Sequence, residues 1–166
     1  MSAIIPKQET ILANLRTQLL GIDGTASYNN AILNVYRRNM DIGTDIQEHM
    51  CPCLTIEPQE TYFTSMTGEQ MTAGNTISGI ADGLIVNIRG YVFTATDTDD
   101  GGTLQQDMIK LAADVIMAIY SDITLSGAAL STTLLNQSDY FDYKKRLGVF
   151  NLQISIKYDF YPALNP

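Results

Sequence analysis

Cysteine, histidine and basic residues are scarce in this chain, and each shortage removes a class of chemistry. The 166 residues include two cysteines and one histidine. Cys51 and Cys53 stand one residue apart, too close for a structural disulfide. They are expected to stay reduced, as in a cytosolic product. With His49 they form the one cluster of metal-ligand types. A closed zinc site needs four ligands, usually as spaced pairs, and no second pair follows. Only a site completed by another subunit would leave room for a metal. Cys53 therefore reads as a small core residue of a strand, and His49 as part of the loop before it. A cysteine nucleophile fails for a related reason. His49 lies two residues from Cys51 and four from Cys53. In an extended chain these groups do not converge with a third that orients the base.

Lysine and arginine total 10 against 18 acids, for a net charge of -8. Nucleic acids and anionic membranes need clustered cations, so neither is an expected general ligand. The basic residues that exist form two spots: Arg37 with Arg38, and Lys144, Lys145 and Arg146. Against so much acid they read as interface ion pairs rather than a nucleic-acid groove. Glycine loops of the phosphate-binding kinds are missing. No apolar run approaches the roughly 20 residues of a membrane span. Met1 to Gln8 lack the basic start and apolar stretch of a secretory leader. Counted from Asp97, a calcium loop would want glycine sixth and glutamate twelfth, but Gly101 is fifth and Met108 twelfth. A turn before a helix explains those acids without a metal. Asp139, Asp142 and Asp159 are scattered and read as solvated carboxylates. No catalytic residue, metal or cofactor is expected, and the chain is not expected to be an enzyme.

What is present is a globular composition: 45% hydrophobic and 17% charged. The length suits one domain, able to bury about 70% of its unfolded surface. The modest charge leaves neutral surface for subunit contacts.

Pro6 to Leu20 reads as a helix, with Ile11, Leu12, Leu15, Leu19 and Leu20 in one stripe. Gly21 and Gly24 end it. Tyr28 to Arg38 reads as a strand, and Met40 to Met50 as a loop or short helical turn. Cys53 to Ile56 and Thr61 to Met66 read as two β runs, the first between Pro52 and Pro58 at an edge or strand end. Thr67 to Gly83, rich in Gly, Thr, Ser and Asn, reads as a long loop or hairpin arm. Leu84 to Ala95 is a strand with Leu84, Val86, Ile88 and Val92 on one face. Gly90 marks a bulge or a close backbone approach. Thr103 with Gln106 has the form of a capping box, with Asp99, Asp100 and Asp107 near the positive helix end. The helix that follows carries Leu104, Met108, Leu111, Ala112, Val115, Ile116 and Ile119 on a broad apolar face. Leu130 to Asn136 is a short strand. Val149 to Phe160 alternates apolar and polar residues, as in a half-buried strand. With too few crossover helices for a parallel sheet, this order predicts an α+β fold: a mainly antiparallel sheet with both helices packed on one face.

The order resembles a known family in particular places. An N-terminal helix precedes Tyr28-x-x-Ala31-x-Leu33-x-Val35-x-Arg37. Pro52-Cys53-Leu54-Thr55-Ile56 follows beside Glu57. Then come Gly90-Tyr91-Val92, the helix Leu111-x-x-Asp114-Val115-x-x-Ala118-Ile119, and the closing Gly148-Val149-Phe150-Asn151-Leu152-x-Ile154-x-Ile156-x-Tyr158. This is similar to the tail terminator (tail completion) proteins of long-tailed bacteriophages, whose members often carry an aromatic where this chain has Cys51. The resemblance implies a virion assembly protein forming a hexameric ring on the head-proximal end of the tail tube. There it stops tube growth and presents a surface for head–tail joining. It implies homo-oligomer contacts, the tail tube protein and head–tail connector proteins as partners, and DNA only passing through the lumen. A heterologous ring closes by rotation, which accounts for the end of growth. The acidic balance suits a channel through which DNA must slide. On this reading the subunit and tube contacts fall to Tyr36, Arg37, Arg38, Met66, Met71, Ile77, Ile80, Lys144, Lys145 and Arg146. Two alternatives stand beside it: another neck, connector or minor tail protein, and a small monomeric ligand binder or enzyme using His49 with Asp residues.

Overall fold

The computed structural model describes residues 7–25, 27–41, 44–63, 79–94 and 102–160. Helix α1 spans Lys7–Leu20. Strands β1 (Asn34–Tyr36), β2 (Cys53–Phe63) and β3 (Gly79–Phe93) precede helix α2 (Gly102–Ser121). Strands β4 (Ser131–Asp142) and β5 (Leu147–Phe160) follow it. The sheet order is β1-β2-β3-β5-β4. β1 lies parallel to β2, and every other pairing is antiparallel. This is the expected α+β fold.

Strand alternation builds the core. Leu84, Val86, Ile88 and Val92 of β3 share a face with Phe150, Leu152, Ile154, Ile156 and Tyr158 of β5. They join Ile11, Leu12, Leu15 and Leu19 of α1 and Leu104, Met108, Leu111, Val115 and Ile119 of α2 in one buried cluster. Both helices therefore cover the same face. Leu20, expected in the α1 stripe, is instead 37% exposed. One helical step of about 100° past Leu19 turns it away from the sheet. Gly90 faces Phe150 across the β3–β5 ladder with no register shift there. The Phe150 ring occupies the place where a Cβ on residue 90 would stand. Of the two readings of this glycine, close approach holds and a bulge does not.

Several expected boundaries move. The strand expected over Tyr28 to Arg38 shrinks to Asn34–Tyr36, with a lone bridge from Asp23 to Ala31. Asp114 of α2 accounts for the loss at residues 29 and 30, and Ile32 donates instead to the Ile22 carbonyl at 2.8 Å. The Asp114 carboxylate is fully buried and accepts the backbone N–H of Asn29 at 3.0 Å and of Asn30 at 2.9 Å. The Asn29 and Asn30 side-chain amides donate to it as well, at 2.9 and 2.8 Å. Backbone donors committed to a carboxylate cannot join a ladder. The two β runs after Pro52 are one strand, β2, with a register shift between Pro58 and Thr61 that accommodates the proline. The loop expected over Thr67 to Gly83 yields to β3 from Gly79 onward, while 64–78 lie outside the described residues. α2 already includes Gly102, so Thr103 sits inside its first turn rather than capping it. Asp99 and Asp100 lie outside the described residues. β4 runs to Asp142, well past Asn136.

Two substitutions test this account. Asp114→Ala strands several buried donors and should lower stability by about 3 kcal/mol in urea unfolding. Gly90→Val forces the Phe150 ring out of its place and should cost about 2–3 kcal/mol, read as a lower Tm.

Candidate functional site

The sheet face away from the helices has two halves. Over one half, residues 39–41 and 44–52 fold back on the strands. Met40 and Ile46 pack there with Cys53, Tyr91, Leu147 and Val149 in a second buried cluster, with Tyr36, Met50, Cys51 and Phe93 at its margin. The Tyr91 hydroxyl donates to the Met40 carbonyl at 3.3 Å, and burial pushes its pKa up. The Cys51 thiol is also raised, by a hydrogen bond with Cys53, by burial and by Glu48, which keeps it protonated at neutral pH. His49 is exposed on a single helical turn, Glu48–Met50. Among the described residues no group of three or more His, Cys, Asp or Glu side chains could hold a metal.

The other half is polar. Asn87, Gln153, Ser155 and Lys157 stand here, and Gln153 donates to Asn87 Oδ1 at 3.3 Å. Arg89 donates to Asn39 Oδ1 at 2.6 Å and meets Glu57 at 3.4 Å. Amides and hydroxyls, rather than an excess of acid, make this face hydrophilic. Between the halves lies a cleft of about 310 Å³, lined by Met40, Asp41, Arg89, Tyr91, Val149, Asn151 and the β4 residues Ser138, Asp139 and Tyr140. His49 is not among its walls.

The two sheet edges differ. At the β1 edge, the Val35 N–H donates to Asn34 Oδ1 and its carbonyl accepts from Arg16 Nε, each at 2.8 Å. Beyond β1, the outer side of β2 carries Pro58, which has no N–H, beside its register shift. Both devices blunt an edge. β4, at the other side, is 12 residues long and contains neither lysine nor proline. No described strand pairs with its outer side. Leu135 and Tyr140 are 51% and 55% exposed on it.

The expected contact residues do not converge. Tyr36 is half-buried against the second cluster. Arg37 is held by Glu9 of α1 at 2.5 and 2.8 Å, while Arg38 is exposed. Lys144 and Lys145 sit on the turn between β4 and β5, with Lys145 near Asp142 at 3.8 Å. Arg146, in the left-handed region at φ 54, accepts the Thr94 N–H on its carbonyl. Ile80 belongs to β3. Met66, Met71 and Ile77 lie outside the described residues. Sequence reading missed the exposed flank of α2, where Ile109 and Tyr120 are 59% and 53% exposed. Helical spacing puts Ile109, Ile116 and Tyr120 within about 40° of one another, so the signal was there. The β4 edge, unpaired among the described strands, was missed because the strand was read too short.

Glu9, Asp23 and Asp122 have pKa values below the ordinary range. Arg37 holds Glu9 down, and Thr25 and Thr124 do so for Asp23 and Asp122. Their stabilisation is present above the unfolded carboxylate pKa of about 4 and is lost as pH falls through the lower folded values. Tm should therefore fall as pH drops below the unfolded carboxylate value of about 4, and Asp122→Asn should flatten that limb.

No family model and no curated protein matches the chain. Its fold is similar to a chain in a solved structure described as the virion of a native gene transfer agent particle. The identity is 12% and the TM-score 0.42, over 93% of this chain and 96% of that one.

Proposed function

We propose that this chain is a virion assembly protein of the long-tailed phage type, working as a ring at the head-proximal end of the tail tube. One observation carries the reading. Both helices cover one sheet face, and much of the opposite face is polar with its charges offset against one another. Copies arranged side by side, helices outward, would turn a hydrophilic and nearly neutral sheet toward the axis. DNA could pass such a wall without being held, because phosphate capture needs clustered cations.

Subunit contacts then fall to apolar surface that a lone chain leaves in water. Ile109, Met117 and Tyr120 on α2 are each at least half exposed. Large apolar side chains grouped on one helix mark contact surface more than scattered ones do. A head-to-tail ring buries such surface in every copy and closes on itself. Its face toward the tube stops growth because its other face does not repeat a tube subunit. Partners on this reading are further copies, the tube protein and the head connector. The reaction is assembly, with no bond made or broken, so the chain is not an enzyme.

Electron microscopy of tails assembled without the chain tests this. Tubes of uncontrolled length, or finished tails that never join heads, are expected. Tails of normal length on filled heads would overturn the proposal.

A further inference from the structure

We infer that β4 is a strand-addition site for another protein, and that it selects an extended segment in which a lysine or arginine adjoins a large apolar residue. The inference takes from the assembly reading only that the partner is a protein.

The first ground is the contrast between the edges. Val35 has its N–H and carbonyl taken by side chains, and β2 beyond it carries Pro58 and a register shift. Among the described residues, β4 has no matching protection apart from a register shift between Leu134 and Asn136. A long edge with free backbone donors and acceptors takes an added strand, and side chains on alternate sides supply the choice of partner.

The second ground is charge. Asp139 and Asp142 are the only charged residues in β4. Asp142 is met by Lys145 at 3.8 Å. Asp139 is exposed, accepts only a neutral amide from Gln137 at 3.1 Å, and has no cation within ion-pair distance among the described residues. Asp139 is the Cα partner of Phe150, so alternation puts its side chain on the helix side of the sheet. A strand added to β4 would set one residue directly across from it. Opposite charges in that cross-strand position favour pairing, and like charges oppose it.

The third ground is the cleft. Ser138 and Tyr140 flank Asp139 in sequence and by alternation point to the opposite face, and all three residues border the 310 Å³ cleft there. Met40, Tyr91 and Val149 give it apolar walls. On an added strand, the neighbour of the residue facing Asp139 points to that same face. An aromatic or long aliphatic side chain there fills the cleft. The two requirements fall on adjacent residues because successive side chains of a strand alternate.

The probe is a short acetylated and amidated peptide of Thr and Ser with a central Arg-Phe pair. Two twins replace the Arg by Glu or the Phe by Ala. Binding is read by fluorescence anisotropy, and the site by amide exchange. The Arg-Phe peptide should bind and protect Leu135–Asp142. Each twin should bind about tenfold more weakly. Asp139→Lys, at an exposed position, should reverse the preference toward the Glu twin. Equal binding of Arg and Glu peptides, protection elsewhere, or sedimentation showing β4 already occupied by a second copy would overturn the inference. Peptide binding needs no ring. Tails of normal length in the chain's absence would therefore sink the ring alone, and peptide failure would sink only the strand site.

Discussion

A single buried carboxylate holds the chain's arrangement together. Asp114 projects from the middle of α2 and gathers the backbone and side-chain amides of Asn29 and Asn30. A carboxylate without water must satisfy its lone pairs inside the protein, and here four donor groups do so. The contact joins α2 to the turn that leads into β1. It thereby fixes where the first strand can start and keeps the 29–30 backbone out of the sheet. The path of the chain from α1 to β2 is fixed first by this acceptor and then by the Ile32 N–H on the Ile22 carbonyl and the Leu33 N–H on the Pro52 carbonyl.

From that constraint follows the division of surfaces. With α1 and α2 both on one face, the sheet's other face is free for a different use. Part is covered by residues 39–41 and 44–52, and the rest remains polar. The edges divide in the same way. One is closed by the chain's own side chains and a proline, and along the other, β4, no described strand pairs. Asymmetric edges suit a protein that must meet one neighbour on one side and something else on the other.

Much of this was legible in the sequence because it is local. The α2 stripe, the alternation of β5 and the apolar face of β3 are all periodic, and all are found where expected. Gly90 could be flagged, though only the register opposite Phe150 shows which of its two uses applies. What failed was set by distant partners. The alternation from Ala31 to Val35 looked like a longer strand because nothing nearby announces that Asp114, some 84 residues on, takes the Asn30 amide. β4 was cut short at Asn136 because its outer half is polar and exposed, as an edge strand's can be. The basic spots were visible as composition, but Arg37 is spent on Glu9, which spacing could not tell. The cleft joins β3, β4 and β5 with the Met40–Asp41 stretch, and no motif links those segments.

Gln18 has a consequence of its own. From α1 it reaches the carbonyls at the end of α2, donating to Ala118 at 2.5 Å and to Asp122 at 3.2 Å. Helix ends leave carbonyls without intrahelical partners, and here the first helix supplies one. The turn that sends the chain from α2 into β4 is thus fastened by a residue about a hundred positions earlier. Trimming the start of the polypeptide would loosen the far side of the molecule, and the open strand would be among the first parts to lose its footing.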